Sequence, residues 1–205
     1  QSVSVGPGAT VSKTYTVKVV TPLASAVSKI TNVVTTSVGG CPACTVDNPT
    51  ASVLTTTKTI LTVNGAAATT STVVKAGDVI VYRISVANTG GNSGTTTLTD
   101  VVPANTTYTG TGQGWSCPNP STAGTACTQS VTVAAGGTQA RDYTVTVNAP
   151  LPVGTATIAN VVTTSTGACT ACTVTNPTPA VLDTVKTILT VNNTAATTST
   201  VVQAG

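Results

Sequence analysis

The chain repeats itself at a fixed interval, and this repeat limits what it can fold into more than any other feature. Asn32 and Asn160 stand in the nearly identical heptapeptides TNVVTTS and ANVVTTS, 128 positions apart (160 minus 32). Two further segments return at the same offset: the Cys-x-x-Cys at 41–44 and KTILTVN at 58–64. The repeat predicts that the structural unit is a domain of about 128 residues.

Proline-containing triplets divide the chain into three parts. Asn-Pro-Thr occurs at 48–50 and again at 176–178, and proline in such a position marks a break between ordered segments. We predict that residues 1–50 are the C-terminal part of one repeat, residues 51–178 one complete repeat and residues 179–205 the N-terminal part of the next. On this prediction the chain is a segment of a longer array of repeats.

Composition and local alternation favour an all-β fold. Hydrophobic residues make up 40% of the chain and aromatic residues only 2%, and the abundant Val, Ile and Thr are β-branched residues that suit strands. Residues 78–88 (DVIVYRISVAN) place Ile80, Tyr82, Ile84 and Val86 on one apolar face, as a half-buried strand requires. Residues 139–148 alternate again through Tyr143, Val145 and Val147. Roughly seven such segments, separated by turn signals, predict a two-sheet sandwich in which the strand at 155–164 closes the unit.

Low charge and missing residue types exclude several functions. Charged residues are 6% of the chain, the net charge is +3 and no basic run occurs, so we expect no nucleic-acid partner. No apolar run approaches membrane-spanning length. Without His or Glu, the chain has no Ser-His-Asp triad and no usual glycosidase pair. We therefore predict that it is not an enzyme and needs no cofactor, and that its partners are copies of itself, in a polymer or side by side, because few charges oppose self-association.

Several motifs in the central part carry a resemblance to a known family. AGDVIVYRISVANTG (76–90), LTDVVP (98–103) and IANVV (158–162), with the Trp-Ser-Cys at 115–117 and the Cys-Thr at 127–128, resemble in order the bacterial and archaeal surface repeat catalogued as domain of unknown function 11. The resemblance implies immunoglobulin-like sandwiches, found in tandem in large secreted or cell-wall proteins. It implies no catalytic activity.

A second resemblance concerns a covalent bond. Lys58, Asp100 and Asn160 are similar in order and motif to the residues of fimbrial shaft domains that form an intramolecular isopeptide bond, in which Lys and Asn are joined and Asp assists as an acid. The absence of Glu excludes the variant that uses a Glu acid. Asn32 and Lys186 then belong to partial copies of this site, and the residues to which they would be bonded lie outside this chain. The alternative is that Lys58 is a solvated strand residue, Asp100 a hydrogen-bond acceptor and Asn160 a packing residue.

The cysteines fall into three local pairs. Cys117 and Cys127 flank a loop and indicate a disulfide formed in an oxidising compartment. Cys41 with Cys44 and Cys169 with Cys172 are two copies of one motif, which we interpret as small structural disulfide rings. A zinc site would need both pairs because no His is present, and we predict no metal. A redox role and disulfides between chains remain alternatives.

These observations favour a structural function outside the cell. We expect a secreted protein, extracellular or on the cell surface, that forms a filament, fibre or surface layer from tandem β-sandwich repeats. One alternative is an adhesin, a binding module whose site would lie in the long loop at 110–128 around Trp115. The other is a redox or metal-binding role of the Cys-x-x-Cys pairs.

Overall fold

A computed structural model describes residues 2–21, 23–24, 27–118, 121–180 and 186–202. Across these ranges the chain is all-β, without a helix. Part of the predicted third segment, 181–185 and 203–205, lies outside the described residues. So does Gln1, which opens the predicted first segment.

The strands vary in length from two to ten residues. In chain order they are β1 (Lys29–Val33), β2 (Thr45–Pro49), β3 (Leu54–Val63), β4 (Ala66–Ala67), β5 (Val79–Asn88), β6 (Gly94–Val101), β7 (Thr106–Tyr108), β8 (Ala126–Val133), β9 (Thr138–Val147), β10 (Thr157–Thr164), β11 (Ala168–Ala171), β12 (Thr173–Pro177), β13 (Thr190–Val191) and β14 (Thr194–Ala195).

Two large sheets contain every strand between Leu54 and Pro177. One has the order β12-β10-β6-β8 and is antiparallel throughout. The other has the order β11-β3-β5-β9-β7, with β4 paired to β3, and only the β11–β3 pair is parallel. The arrangement is consistent with a β-sandwich, because the inner faces of both sheets contribute to one core.

The core follows the alternation of the strands. On β5 the predicted inward set, Ile80, Tyr82, Ile84 and Val86, is wholly buried, which confirms the face assigned from the sequence. The opposing sheet supplies Leu98, Val131, Val133, Ile158 and Val162 to the same cluster. Because few aromatic side chains are present, β-branched side chains provide most of this packing.

The end of the sandwich differs from the prediction. The strand at 155–164 was expected to close the unit, but β11 and β12 follow it. β12 folds back on β10, while β11 crosses to the other sheet and runs parallel to β3. The segment forming β11 is short and all four of its residues are exposed, so it lacks the alternation of apolar residues by which a strand is recognised in a sequence.

Two small hairpins lie outside the large sheets. β1 pairs with β2, and β13 pairs with β14. The β13–β14 turn places Asn192 and Asn193 at positive φ, and the β3–β4 turn does the same with Asn64 and Gly65. Asn and Gly tolerate this left-handed backbone better than other residues, so both turns form from local sequence.

Candidate cross-linking site

Lys58 is a charged residue at a core position of β3. The inward side chains of this strand are Leu54, Thr56, Lys58 and Ile60, because alternate residues of a strand face the same side of the sheet. Lys58 lies opposite Ile84 of β5 and is 2% exposed. An amine at this position has lost its water and requires a partner in the core.

Asp100 supplies that partner from the opposite sheet. It lies on β6 between Cys127 of β8 and Val162 of β10 and is completely buried. The Lys58 amine donates a hydrogen bond to Asp100 Oδ2, and both side chains are fully withdrawn from solvent. The ion pair therefore joins the two sheets through the core.

Asn160 is the third buried polar residue. It faces inward from β10, between Ile158 and Val162, and is completely buried. Its amide lies close enough to Asp100 to lower the pKa of that carboxyl. Yet neither amide atom, Nδ2 or Oδ1, makes a hydrogen bond of normal geometry within the described part of the chain. A buried primary amide without such a bond is unusual.

The environment brings the two charged groups towards their neutral forms. Burial lowers the pKa of the Lys58 amine to about 8, against the opposing effect of Asp100. Burial also raises the pKa of the Asp100 carboxyl to about 6, against the opposing effects of Lys58 and Asn160. The pKa of Lys58 stays above that of Asp100, so transfer of the Lys58 proton to Asp100 still costs about 3 kcal/mol, far less than between the free side chains.

Two tyrosines complete the surroundings of the amine. The Lys58 nitrogen lies 4.9 Å from the ring centre of Tyr82 and 5.5 Å from that of Tyr143, which pair across β5 and β9. Burial raises the pKa of both phenols above the ordinary tyrosine range. Their proximity to Lys58 could not be predicted from the sequence, although the alternation of residues 78–88 and 139–148 already placed both rings in the core.

The partial copies lie apart from this cluster. Asn32 is half-buried on β1, and Lys186 is exposed ahead of β13. Lys58, Asp100 and Asn160 are thus the predicted cross-linking residues that the structure brings together.

All six cysteines form pairs at disulfide distance. The Cα atoms are 4.3 Å apart in Cys117–Cys127, 5.5 Å in Cys41–Cys44 and 5.7 Å in Cys169–Cys172. Each Cys-x-x-Cys therefore closes on itself. Such bonds form and persist in oxidising compartments.

The remaining candidate sites contribute little further chemistry. Trp115 is 9% exposed, donates a hydrogen bond to the Asp142 carbonyl and packs edge-on against Tyr143, so its ring belongs to the core. Among the residues that the structure describes, no group of three or more Cys, Asp, Glu or His side chains could hold a metal ion.

Comparison with known proteins found neither a protein-family model nor a curated protein that matches the chain. None of its described residues forms a helix long and apolar enough to cross a membrane. The buried Lys58–Asp100–Asn160 cluster is therefore the feature that most directly suggests a function.

Proposed function

We propose that this chain is a structural component of an extracellular filament, fibre or cell-surface layer, built from tandem immunoglobulin-like sandwiches of about 128 residues. In this proposal each sandwich is locked by an isopeptide bond between the Lys and Asn that correspond to Lys58 and Asn160, with Asp100 as the assisting acid. The protein acts by bearing load and carries out no turnover of a substrate.

The observation that supports the proposal is the buried cluster itself. An isolated ion pair in a core is a poor source of stability, because the desolvation of two charges offsets their attraction. The Lys58–Asp100 pair also lies beside an Asn160 amide that makes no normal hydrogen bond with a described residue. A chemical role accounts for all three side chains, whereas a structural ion pair accounts for Lys58 and Asp100 and leaves the Asn160 amide unexplained.

The chemistry begins with a proton transfer. The Lys58 ammonium gives a proton to Asp100, which leaves a neutral amine and a neutral carboxylic acid. The lowered pKa of Lys58 and the raised pKa of Asp100 reduce the free energy that this transfer costs. The amine can then attack the side-chain carbonyl carbon of Asn160 while the acid donates a hydrogen bond to the carbonyl oxygen.

The reaction is balanced without any outside reactant. A bond forms between Lys58 Nζ and Asn160 Cγ, and the bond between Cγ and Nδ2 breaks. Nδ2 takes up one proton from the attacking amine and one from Asp100 and leaves as ammonium, so Asp100 returns to its carboxylate form. No atom is oxidised or reduced, and the products are one secondary amide and one ammonium ion.

The position of the bond would give it a mechanical effect. It would join β3, near the start of the sandwich, to β10, near its end, across the two sheets. By the loop-closure argument for cross-links, a loop of about 100 residues closed in this way stabilises the fold by roughly 4–5 kcal/mol. Force applied along the chain would then pass through the cross-link and leave most of the strands unloaded.

Intact mass after complete reduction tests the cross-link. We expect the 205-residue chain to be about 17 Da lighter than its sequence, the mass of one ammonia. Lys58→Ala and Asn160→Ala should each abolish the deficit, while the matched variants Lys186→Ala and Asn32→Ala should keep it. Digestion should release one branched peptide that contains Lys58 and Asn160.

A full mass for the folded, reduced chain would exclude the cross-link. The filament is tested separately, by electron microscopy of native material labelled with an antibody to the chain. Labelled fibres or a regular surface layer are expected, and label confined to dispersed monomers would overturn the structural assignment.

A further inference from the structure

The turn between β5 and β6, residues 89–93, is the place where the sandwich meets the segment before it. Asn88 holds the turn from inside, since its Oδ1 accepts hydrogen bonds from the Gly90 and Val53 amides at 3.0 and 3.1 Å. The Gly91 amide donates to the Ala51 carbonyl at 3.2 Å. The chain that enters the sandwich is thereby fixed along the turn.

Asn92 extends the contact to the preceding hairpin. Its Nδ2 donates hydrogen bonds to the Thr50 carbonyl and, at 3.4 Å, to the Ser28 carbonyl. Ser28 and Thr50 stand at the open end of the β1–β2 hairpin, where the Thr50 amide donates to the Ser28 carbonyl at 3.0 Å and its hydroxyl donates to the Val27 carbonyl. The Asn92 side chain therefore bridges the residue just before β1 and the residue just after β2.

Two glycines permit this close approach. A Cβ atom at Gly91 would overlap the Val27 carbonyl, and one at Gly90 would overlap the Ala51 carbonyl. In each case the obstructing group is backbone, which cannot move aside as a flexible side chain would. Any larger residue at Gly91 would therefore push the hairpin away from the turn.

The hairpin side of this contact occurs twice in the chain. At the 128-residue offset, the Thr178 amide donates to the Ala156 carbonyl at 3.0 Å and its hydroxyl donates to the Thr155 carbonyl. These residues repeat the bonding of Thr50 with Ser28 and Val27. The open end of the β10–β12 hairpin thus presents the same surface that the turn at 89–93 binds on the β1–β2 hairpin.

We propose that residues 89–93 form the receiving side of a fixed joint between successive copies of the repeat. The Gly-Gly-Asn of one copy binds the end of the hairpin of the copy before it, so consecutive sandwiches keep one relative orientation. This inference rests on the proposed tandem array and adds to it the surface by which the array stays stiff. Its partner is the preceding repeat of the same chain.

Backbone ¹⁵N relaxation of the full 205-residue chain tests the joint. In the parent protein, β1 and β2 should share one correlation time with β5 and β9. In Gly91→Val the hairpin should move separately, and its local correlation time should fall by roughly half. Asn92→Ala, which removes the bridging donors and leaves the backbone unchanged, should shift it in the same direction by a smaller amount.

Gly40→Val is the matched control, because Gly40 lies in the exposed loop of the same hairpin and a Cβ there has no neighbour within 4 Å. It should behave as the parent. Independent motion of the hairpin in the parent, or parent-like relaxation in both turn variants, would overturn the joint. If Gly91→Val does not fold, the relaxation of the hairpin in Asn92→Ala alone tests the joint. The mass deficit is measured independently, so failure of the joint and failure of the cross-link are distinguishable.

Discussion

The same hairpin occurs twice in this molecule, once inside the sandwich and once outside it. β1–β2 and β10–β12 are separated by the 128-residue offset and have the same register: Lys29 lies opposite Pro49, and Thr157 lies opposite Pro177. Their burial differs sharply. Val46 is 55% exposed on β2, whereas its counterpart Val174 on β12 is 6% exposed.

The difference shows which property belongs to the hairpin and which to its surroundings. Pairing and register are the same in both copies, so local sequence is sufficient for them. Burial appears only where β10 also pairs with β6, opposite Asp100. A hairpin alone has no second layer to cover its apolar face, so the sandwich strands give β10–β12 its core and bury Asn160.

The largest difference in the free energy of unfolding should appear when the Asp is removed from the buried ion pair in one variant and from the exposed ion pair in another. Asp100→Ala leaves the Lys58 amine buried without its partner, and we expect the free energy of unfolding to fall by about 3–5 kcal/mol, in addition to the loss of the proposed cross-link that Asp100 assists. Asp47→Ala breaks the Lys29–Asp47 pair of the first hairpin, whose side chains are 55% and 40% exposed, and should leave stability unchanged.

Urea unfolding monitored by Trp115 fluorescence measures both variants. Asp100→Asn, which keeps the shape of the side chain, separates the loss of charge from the loss of volume. Equal effects of Asp47→Ala and Asp100→Ala on the free energy of unfolding would mean that Asp100 is solvated in the folded protein. This result would contradict the burial of the Lys58–Asp100 pair.

Truncation of one apolar residue in each hairpin should give the next largest contrast. Ile158 is 1% exposed and packs in the core, so Ile158→Ala should cost about 3 kcal/mol through the lost transfer free energy and the cavity that remains. Ile30, its counterpart on β1, is only half-buried, so Ile30→Ala should cost far less. The same urea titration measures both, and similar losses would show that a second layer also covers the first hairpin.

The pH dependence of stability separates the two asparagines. In Asn160→Ala no cross-link can form, and the Lys58 amine keeps a pKa of about 8 in the folded state against 10.5 when unfolded. Between these values the unfolded chain binds more protons, so the free energy of unfolding should rise with pH, by about 1 kcal/mol from pH 8 to pH 9. Asp100, with a pKa near 6, is ionised in both states throughout this range.

Asn32→Ala is the control for that measurement. It retains Asn160, so in the proposed cross-linked form Lys58 Nζ is an amide nitrogen and no longer titrates, and stability should not rise. The window ends at pH 9, because above it the unfolded tyrosines ionise, whereas burial raises the pKa of Tyr82 and Tyr143 in the folded protein and so opposes the rise. A rise of equal size in both variants would mean that Lys58 is a free amine in both and would count against the cross-link.

Much of the fold follows from short-range pattern. Alternation identified the buried faces of β5 and β9 correctly, including Tyr82 and Tyr143, because a strand has a period of two residues whatever surrounds it. The strand β11 could not be found in this way. Its residues are all exposed and its parallel pairing with β3 depends on a strand more than a hundred residues earlier in the chain.

The candidate site shows the same division. Lys58 and Asp100 were singled out by their order and motif, yet 42 residues separate them, and spacing alone does not predict that two such groups meet. Nor does it predict that Asn160 faces them without a normal hydrogen bond to a described residue. These facts depend on the pairing of β6 with β10 and on how the two sheets face each other.

The sequence by itself determined the β character of the chain, the inward faces of its main strands and the register of a hairpin that forms twice. These depend on neighbouring residues along one strand or across one turn. Only the tertiary structure decided that Lys58, Asp100 and Asn160 share a buried core and that the pKa values of Lys58 and Asp100 move towards each other. Desolvation depends on the atoms that surround a group, and here those atoms come from strands distant in sequence.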